Sequence, residues 1–243
     1  MRTYFKSNGR ECFFLTPTEI DSMMEDELWK ANLFPSIENP AVDIEGFITK
    51  HLKVYIDQYA SLEPSVLGLT EFFTNKRPEI KINKDLTGAM DEDGSKLGIV
   101  GRWRATLAHE ASHVIIHGAQ FALAADQNSL PGFGSNENGK NLNLMRCLKR
   151  DFLFRGGSSD EREVQANMGM ASLLMPKSLF LKIVKDGMKK LNLVSNKLNL
   201  NSKETTALTA HLAEKFQVSK QASSIRLQKL NIVFETSGLK MEV

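Results

Sequence analysis

Three of the chain's five histidines lie in one short segment, His109-Glu110-Ala-Ser-His113-Val-Ile-Ile-His117. Four residues of an α-helix turn through about 400°, so His109 and His113 would lie one turn apart on one face and could bind a single ion. Glu110 is rotated by about 100° from His109 and could reach a water bound to that ion without being a ligand. The spacing therefore predicts metal-activated hydrolysis, with Glu110 as the general base.

The same HExxH pattern also arises by chance on surface helices, where the histidines and the glutamate simply form pairs. Here the helix carries apolar residues roughly opposite the two histidines, which favours a helix that packs inward while His109 and His113 line a cleft. These apolar residues are Leu107, Ala108, Ala111, Val114 and Ile115.

A catalytic zinc ion needs a third protein ligand, and His117 is the nearest candidate. It lies about 12 Å beyond His109 along a straight helix, whereas zinc–nitrogen bonds are about 2 Å long. We therefore expect His117 to contact a ligand, or to lie at the C-terminal end of the helix, rather than to bind the ion.

Glu163 is the better candidate for the third ligand. On a helix it falls within the apolar stripe of its segment together with Asn167, and a buried carboxylate needs a partner such as a metal. Asn167, one turn on, could hydrogen-bond a ligand histidine and fix its tautomer. Glu161 suits a capping box begun by Ser158, and capping from Asp160 is the alternative role for Glu163.

Two helices must position these residues. The pattern predicts one over 102–117, stopped by Gly118, and one from about Ser159 to Met175, with a further helix starting at Pro176. A long loop, 119–158, separates them. Upstream, helical spacing runs from Ile44 to Ile56, and two β-rich runs, 66–73 and 79–83, predict a small antiparallel sheet.

The two halves of the site share their order, spacing and ending with one family. The residues are His109-Glu-Ala-Ser-His113 and then Glu163-Val-Gln-Ala-Asn167-Met-Gly-Met-Ala171-Ser-Leu-Leu-Met-Pro176. They resemble the ImmA/IrrE family of intracellular zinc metallopeptidases, with its HExxH, E-x-x-x-N and A-x-x-L-L-M-P elements. The resemblance covers about 102–176 and implies that His109, His113 and Glu163 bind one Zn²⁺, or another divalent metal.

The resemblance also implies an α+β fold with a minimal thermolysin-like (gluzincin-like) core, in which a sheet edge holds the substrate backbone as an added strand. Residues 79–83 are the candidate edge, with Ile80, Lys81 and Ile82 as substrate-binding residues. Family members cleave a helix-turn-helix repressor and so derepress stress or mobile-element genes. The oxyanion-stabilising residue stays unassigned, because the chain has no Tyr after Tyr59 and no His between His117 and His211.

Charge is distributed unevenly between two expected regions, a peptidase domain at 1–185 and a basic helical region at 186–243. Residues 177–243 contain 12 basic and 5 acidic residues, whereas the whole chain has a net charge of only +2. The basic end could face an acidic partner, or it could be an ordinary solvated lysine surface. It includes two helical patterns broken around 217–219 that resemble a helix-turn-helix. If the second helix bound DNA, it would place Lys220, Ser223 and Arg226 in the major groove.

We expect a cytoplasmic protein, because no apolar run spans a bilayer and the N-terminus lacks a signal-peptide pattern. The competing function is a non-catalytic regulator, with a structural metal at HExxH and C-terminal helices that bind DNA or a repressor. Cys147 could then supply the fourth ligand. In the peptidase interpretation the basic end docks the protein substrate, and removing the residues after about Leu200 would abolish cleavage of the intact repressor while leaving zinc bound.

Overall fold

The computed structural model describes residues 2–5, 11–73, 76–94, 96–127, 143–148, 161–191 and 198–234. The strands are β1 (Arg2–Phe5), β2 (Glu11–Phe14), β3 (Tyr55–Ala60), β4 (Val66–Phe72), β5 (Glu79–Asn83), β6 (Asn143–Leu148), β7 (Leu198–Asn199) and β8 (Val233–Phe234). The helices are α1 (Pro17–Lys30), α2 (Ile44–Gly46, continued as a π-helix over Phe47–Leu52), α3 (Lys84–Asp93), α4 (Leu97–Gln127), α5 (Glu161–Leu174), α6 (Lys177–Lys190), α7 (Lys203–Phe216) and α8 (Lys220–Lys229). The predicted α+β class is confirmed.

The largest sheet has four strands in the order β3-β5-β4-β6. β4 is antiparallel to β5 and β6, so the predicted antiparallel pairing of the runs 66–73 and 79–83 is confirmed. β3 was not predicted as a strand, and it is parallel to β5, so the sheet is mixed rather than purely antiparallel. The sequence pattern assigned Tyr55 and Ile56 to a helix. The helix instead ends at Lys53, whose φ of 54° is left-handed, and the extended strand β3 begins two residues later.

β5 is an interior strand of this sheet. The prediction that it forms the substrate-binding edge is wrong, because β3 and β4 pair with its two sides and leave no free backbone for strand addition. Ile80 and Ile82 are fully buried, and Lys81 forms an ion pair with Glu71 on β4 at 2.9 Å. Alternation of isoleucine and lysine reports the two faces of a strand, whereas strand order depends on contacts distant in sequence.

α4 is much longer than its sequence signals predicted and continues past Gly118 to Gln127. Alanine, glutamine and leucine follow Gly118 and favour the helix enough to offset the roughly 1 kcal/mol cost of one glycine. Phe121 beyond the glycine stacks on Phe72 of β4, with ring centroids 4.3 Å apart. Part of the predicted loop 119–158 is therefore helix, and another part is the strand β6.

α5 packs closely between α4 and α1. A Cβ at Gly169 would lie 2.6 Å from Ser112 Oγ on α4 and 3.1 Å from Met24 Cε on α1, so a side chain there would force the helices apart. This close approach sets the distance between the two helices that carry His109 and Glu163. The core around them is continuous, and it includes Ile20, Leu28, Leu107, Ala108, Leu173 and Phe180.

The C-terminal helices pack against the same core. α7 ends at Gln217, whose φ of 53° is left-handed, and α8 follows, as the predicted break at 217–219 requires. A Cβ at Gly101 of α4 would lie 2.7 Å from the Ser219 nitrogen, so the turn lies directly on α4. Ser223 and Arg226 are buried, so the placement of these two residues in a DNA groove is wrong.

Two further expectations from the sequence concern the domain boundary and membrane-spanning helices. The expected boundary between residues 185 and 186 falls inside α6. None of the helices in the described ranges combines the length and the apolar composition that crossing a membrane requires.

Candidate metal centre

α4 and α5 bring His109, His113 and Glu163 together in the interior. One ligand atom from each of the three residues lies within 4.8 Å of the others, and all three residues are buried. His109 Nε2 is 3.1 Å from Glu163 Oε2, and His113 Nε2 is 3.0 Å from His109 Nε2. His113 Nε2 is also 3.5 Å from Glu163 Oε1. The Nε2 atoms and the carboxylate thus converge on one point.

The opposite edges of both histidine rings contact other side chains. His109 Nδ1 is 3.1 Å from Asn167 Oδ1, and His113 Nδ1 is 3.1 Å from His117 Nδ1. Because an amide oxygen can only accept, His109 donates to Asn167 through Nδ1, so Nε2 offers a lone pair to a metal whenever it does not carry the proton that it shares with Glu163. Asn167 and His117 therefore lie where they can hold the two rings in position.

Burial and pairing shift the pKa values of these groups. Burial would raise the pKa of Glu163, but hydrogen bonds from His109 and His113 outweigh it and hold this pKa far below its usual range. Burial lowers the pKa of His113 to about 4 and that of His117 to about 3. Burial also acts to lower the pKa of His109, but the hydrogen bond to Glu163 and the charges of Glu110 and Glu163 raise it.

The donor set suits a divalent cation. Two imidazoles and one carboxylate from two rigid helices form the three-ligand set of catalytic zinc sites, which leave a fourth position for water or substrate. A buried carboxylate between two histidines also supplies the negative charge that offsets a cation in the interior. The residues present therefore fit a metal ion.

Glu110 lies beside these ligands and is held from the sheet. It is fully buried, and Thr70 Oγ1 on β4 donates to Glu110 Oε2 at 2.5 Å. Gly68, two residues earlier on β4, faces the same carboxylate, because a Cβ there would lie 2.7 Å from Glu110 Oε1. Sequence reasoning did not find Thr70 or Gly68. Their only signal in the sequence is that a glycine and a threonine, two residues apart, interrupt an apolar run and so lie on the same face of the strand.

Ile80, Lys81 and Ile82, which were predicted to bind substrate, lie on the interior strand β5, and Thr70 on β4 is the sheet residue that donates to Glu110. Cys147 lies opposite Gly68 in the register of β4 and β6, but its side chain is outside the described part of the structure. Its role as a fourth ligand stays a prediction. Ser158 and Asp160, the expected capping residues, also lie outside the described residues.

The donor set, with Glu110 beside it, is of the kind found in metal-dependent hydrolases. Residues 148–228 match the family model Peptidase_M78, described as an IrrE N-terminal-like domain. The matched segment holds Glu163 and Asn167 and extends to α8, while the helix with His109 and His113 precedes it. The resemblance to the ImmA/IrrE family is confirmed over this segment, and the match supports a peptidase role. No curated protein matches the chain at a significant level.

Proposed function

We propose that the protein is a cytoplasmic zinc-dependent endopeptidase with a minimal thermolysin-like core, which cleaves a helix-turn-helix transcriptional repressor and so derepresses stress or mobile-element genes. The observation that carries the proposal is the convergence of His109, His113 and Glu163 on one point, with Glu110 one residue from the first ligand. The peptidase family match over 148–228 supports the reaction class.

Each side chain of the site would have a separate role in peptide hydrolysis. His109, His113 and Glu163 would hold one Zn²⁺, and the bound ion supplies a positive charge that acidifies water and polarises the scissile carbonyl. Glu110 accepts the proton from the attacking water and returns it to the leaving nitrogen. Asn167 and His117 contact the Nδ1 edges of the two imidazole rings and would hold their Nε2 atoms in place for binding the ion.

The identity of the substrate rests on the family resemblance. A scissile bond must enter the site as extended chain, so we expect cleavage in a linker or a locally unfolded helix of the repressor, rather than in its compact core. The protein substrate would be selected mainly by docking outside the site. Direct DNA binding is a weaker proposal, since Ser223 and Arg226 are buried.

The test is to incubate the zinc-loaded full-length protein with candidate repressors encoded beside its gene and to identify cleavage products by mass spectrometry. Glu110→Gln keeps the size of the side chain but is a far weaker proton acceptor, so cleavage should largely disappear while zinc content and folding persist. Undiminished cleavage by this variant would remove Glu110 from the mechanism.

A second candidate function is a non-catalytic regulator that binds a metal at the same residues. One observation favours it, namely that His109, Glu110 and His113 are all fully buried, as in structural metal sites. The regulator would bind the repressor or DNA without cutting, and Glu110→Gln would leave its activity unchanged. The same variant therefore separates the two functions, because a structural site has no use for a general base.

A further inference from the structure

Two residues of strand β4, neither of them a candidate metal ligand, lie against the Glu110 side chain. Thr70 and Gly68 are two residues apart on β4, so both face α4, where Glu110 lies. Thr70 Oγ1 donates to Glu110 Oε2 at 2.5 Å and is 3.3 Å from the Glu110 carbonyl oxygen. A hydroxyl that donates to a carboxylate at this distance forms a charge-assisted hydrogen bond, roughly twice as strong as a neutral one.

Gly68 provides the space for the other carboxylate oxygen. An ideal Cβ at this position would lie 2.7 Å from Glu110 Oε1 and 2.7 Å from Thr106 Cγ2. Both distances are well inside van der Waals contact, so even alanine would displace either Glu110 or the turn of α4 that precedes it. Glu110 Oε2 therefore accepts a hydrogen bond from Thr70, and Oε1 occupies space that a side chain at position 68 would take.

The strand that carries both residues is rigid. β4 is paired with β5 on one side and with β6 on the other, so its backbone cannot shift without breaking two ladders. Threonine is β-branched and has few side-chain rotamers, which fixes the direction of its hydroxyl. Thr70 and Glu110 are both fully buried, so bulk water competes little for this hydrogen bond.

We propose that Thr70 and Gly68 are positioning residues that aim the Glu110 carboxylate at the water attacking the scissile bond. The inference rests on the proposed function of Glu110 as general base. A general base must lie within hydrogen-bond reach of the proton it takes, and a misplacement of about 1 Å can cost about 100-fold in rate. The sheet thus contributes to catalysis through α4, without binding metal.

The test compares Thr70→Val, which loses the hydroxyl at similar volume, with Thr70→Ser, which keeps it. Crystal structures of the zinc-loaded full-length variants should show the Glu110 carboxylate displaced in Thr70→Val and in place in Thr70→Ser, with one zinc bound in each. Thr87→Val is a matched control, because Thr87 on α3 is also buried and donates to the Gln58 carbonyl oxygen at 2.5 Å. Its loss should leave Glu110 where it is.

Rates on fluorescein-labelled casein and on the cleaved repressor give the second readout. We expect kcat to fall about 10-fold to 100-fold in Thr70→Val, with KM nearly unchanged, rescue by Thr70→Ser and no loss in Thr87→Val. An unmoved Glu110 in Thr70→Val would overturn the positioning role, whatever the rate. If Glu110→Gln itself cleaves at the rate of the unmodified protein, the proposed function fails instead, and the crystallographic comparison still decides whether Thr70 holds Glu110.

Discussion

Arg226 on α8 donates a hydrogen bond to Asp21 on α1 at 2.7 Å, although 205 positions separate the two residues in sequence. Both side chains are buried, and Ser172 Oγ on α5 donates to the same Asp21 oxygen at 2.6 Å. Arg226 also donates to the Met175 carbonyl oxygen at 3.1 Å. This cluster joins the first helix, the helix that carries Glu163 and the last helix of the described chain.

Removing one member of this cluster should be costly. Arg226→Ala leaves the Asp21 carboxylate buried without its cation, and breaking a buried pair in this way costs about 3 to 5 kcal/mol. We expect a decrease of that size in the free energy of unfolding, measured by urea denaturation. Lys30→Ala is the control, because its pair with Glu27 is at the surface and its loss should change stability little. Equal effects of the two variants would contradict this account.

The metal ligands give a second prediction. The full-length protein should bind about one equivalent of zinc, and alanine at His109, His113 or Glu163 should abolish binding. Glu161→Ala is the matched control, because Glu161 begins the same helix but is exposed. Metal analysis after dialysis measures the zinc content of the unmodified protein and of each variant. Retention of zinc by Glu163→Ala together with its loss in Glu161→Ala would show that Glu161, rather than Glu163, is the third ligand.

The residues of the candidate metal centre could be predicted because the place of each residue on its own helix follows from the local sequence. The four-residue spacing of His109 and His113 and the position of Glu163 in an apolar stripe both follow from the pitch of one helix. The roles of β4 and β5 could not be predicted, since strand order joins residues far apart in sequence. Thr70 meets Glu110 across 40 residues, and no periodicity within β4 reports that contact.

Asn167 gives a third prediction, about the partner of a ligand histidine. Asn167→Leu removes the oxygen that accepts from His109 Nδ1, so the ring loses its fixed tautomer and orientation. We expect zinc affinity to fall about 10-fold to 100-fold, measured by competition with a chromogenic chelator. Asn167→Asp retains an acceptor and should bind zinc more tightly than Asn167→Leu. If both variants matched the unmodified protein, Asn167 would have no role in holding His109.

Truncation should now have a different outcome from the one that the sequence suggested. Leu208, Leu212, Phe216 and Leu227 are fully buried, so α7 and α8 are part of the core that supports α4. Deleting the residues after Leu200 would expose that core, and at about 1.5 to 3 kcal/mol for each of these side chains the loss is comparable with the 5 to 15 kcal/mol by which domains are usually stable. We expect the truncated chain to lose cooperative unfolding, seen by circular dichroism, and to lose zinc. A folded, zinc-loaded truncation would restore the idea of a separate docking region.

Docking must therefore be tested by charge rather than by deletion. Lys182, Lys185 and Lys189 are exposed on α6, in the basic part of the chain, and α6 follows the helix that carries Glu163. If they attract an acidic surface of the repressor, the triple change to glutamate should slow cleavage about tenfold at low salt through kcat/KM. Cleavage by the unmodified protein should also slow as salt rises, because screening weakens long-range attraction.

A matched triple variant separates local docking from the total charge. Lys50, Lys84 and Lys96 are exposed in the more acidic part of the chain, and changing all three to glutamate alters the net charge by the same amount. Cleavage of the repressor should be slowed much less by this control than by the α6 variant, and its salt dependence should stay close to that of the unmodified protein. Equal slowing by the two triple variants would assign the effect to net charge, and no slowing by either would leave the lysines of α6 as an ordinary solvated surface.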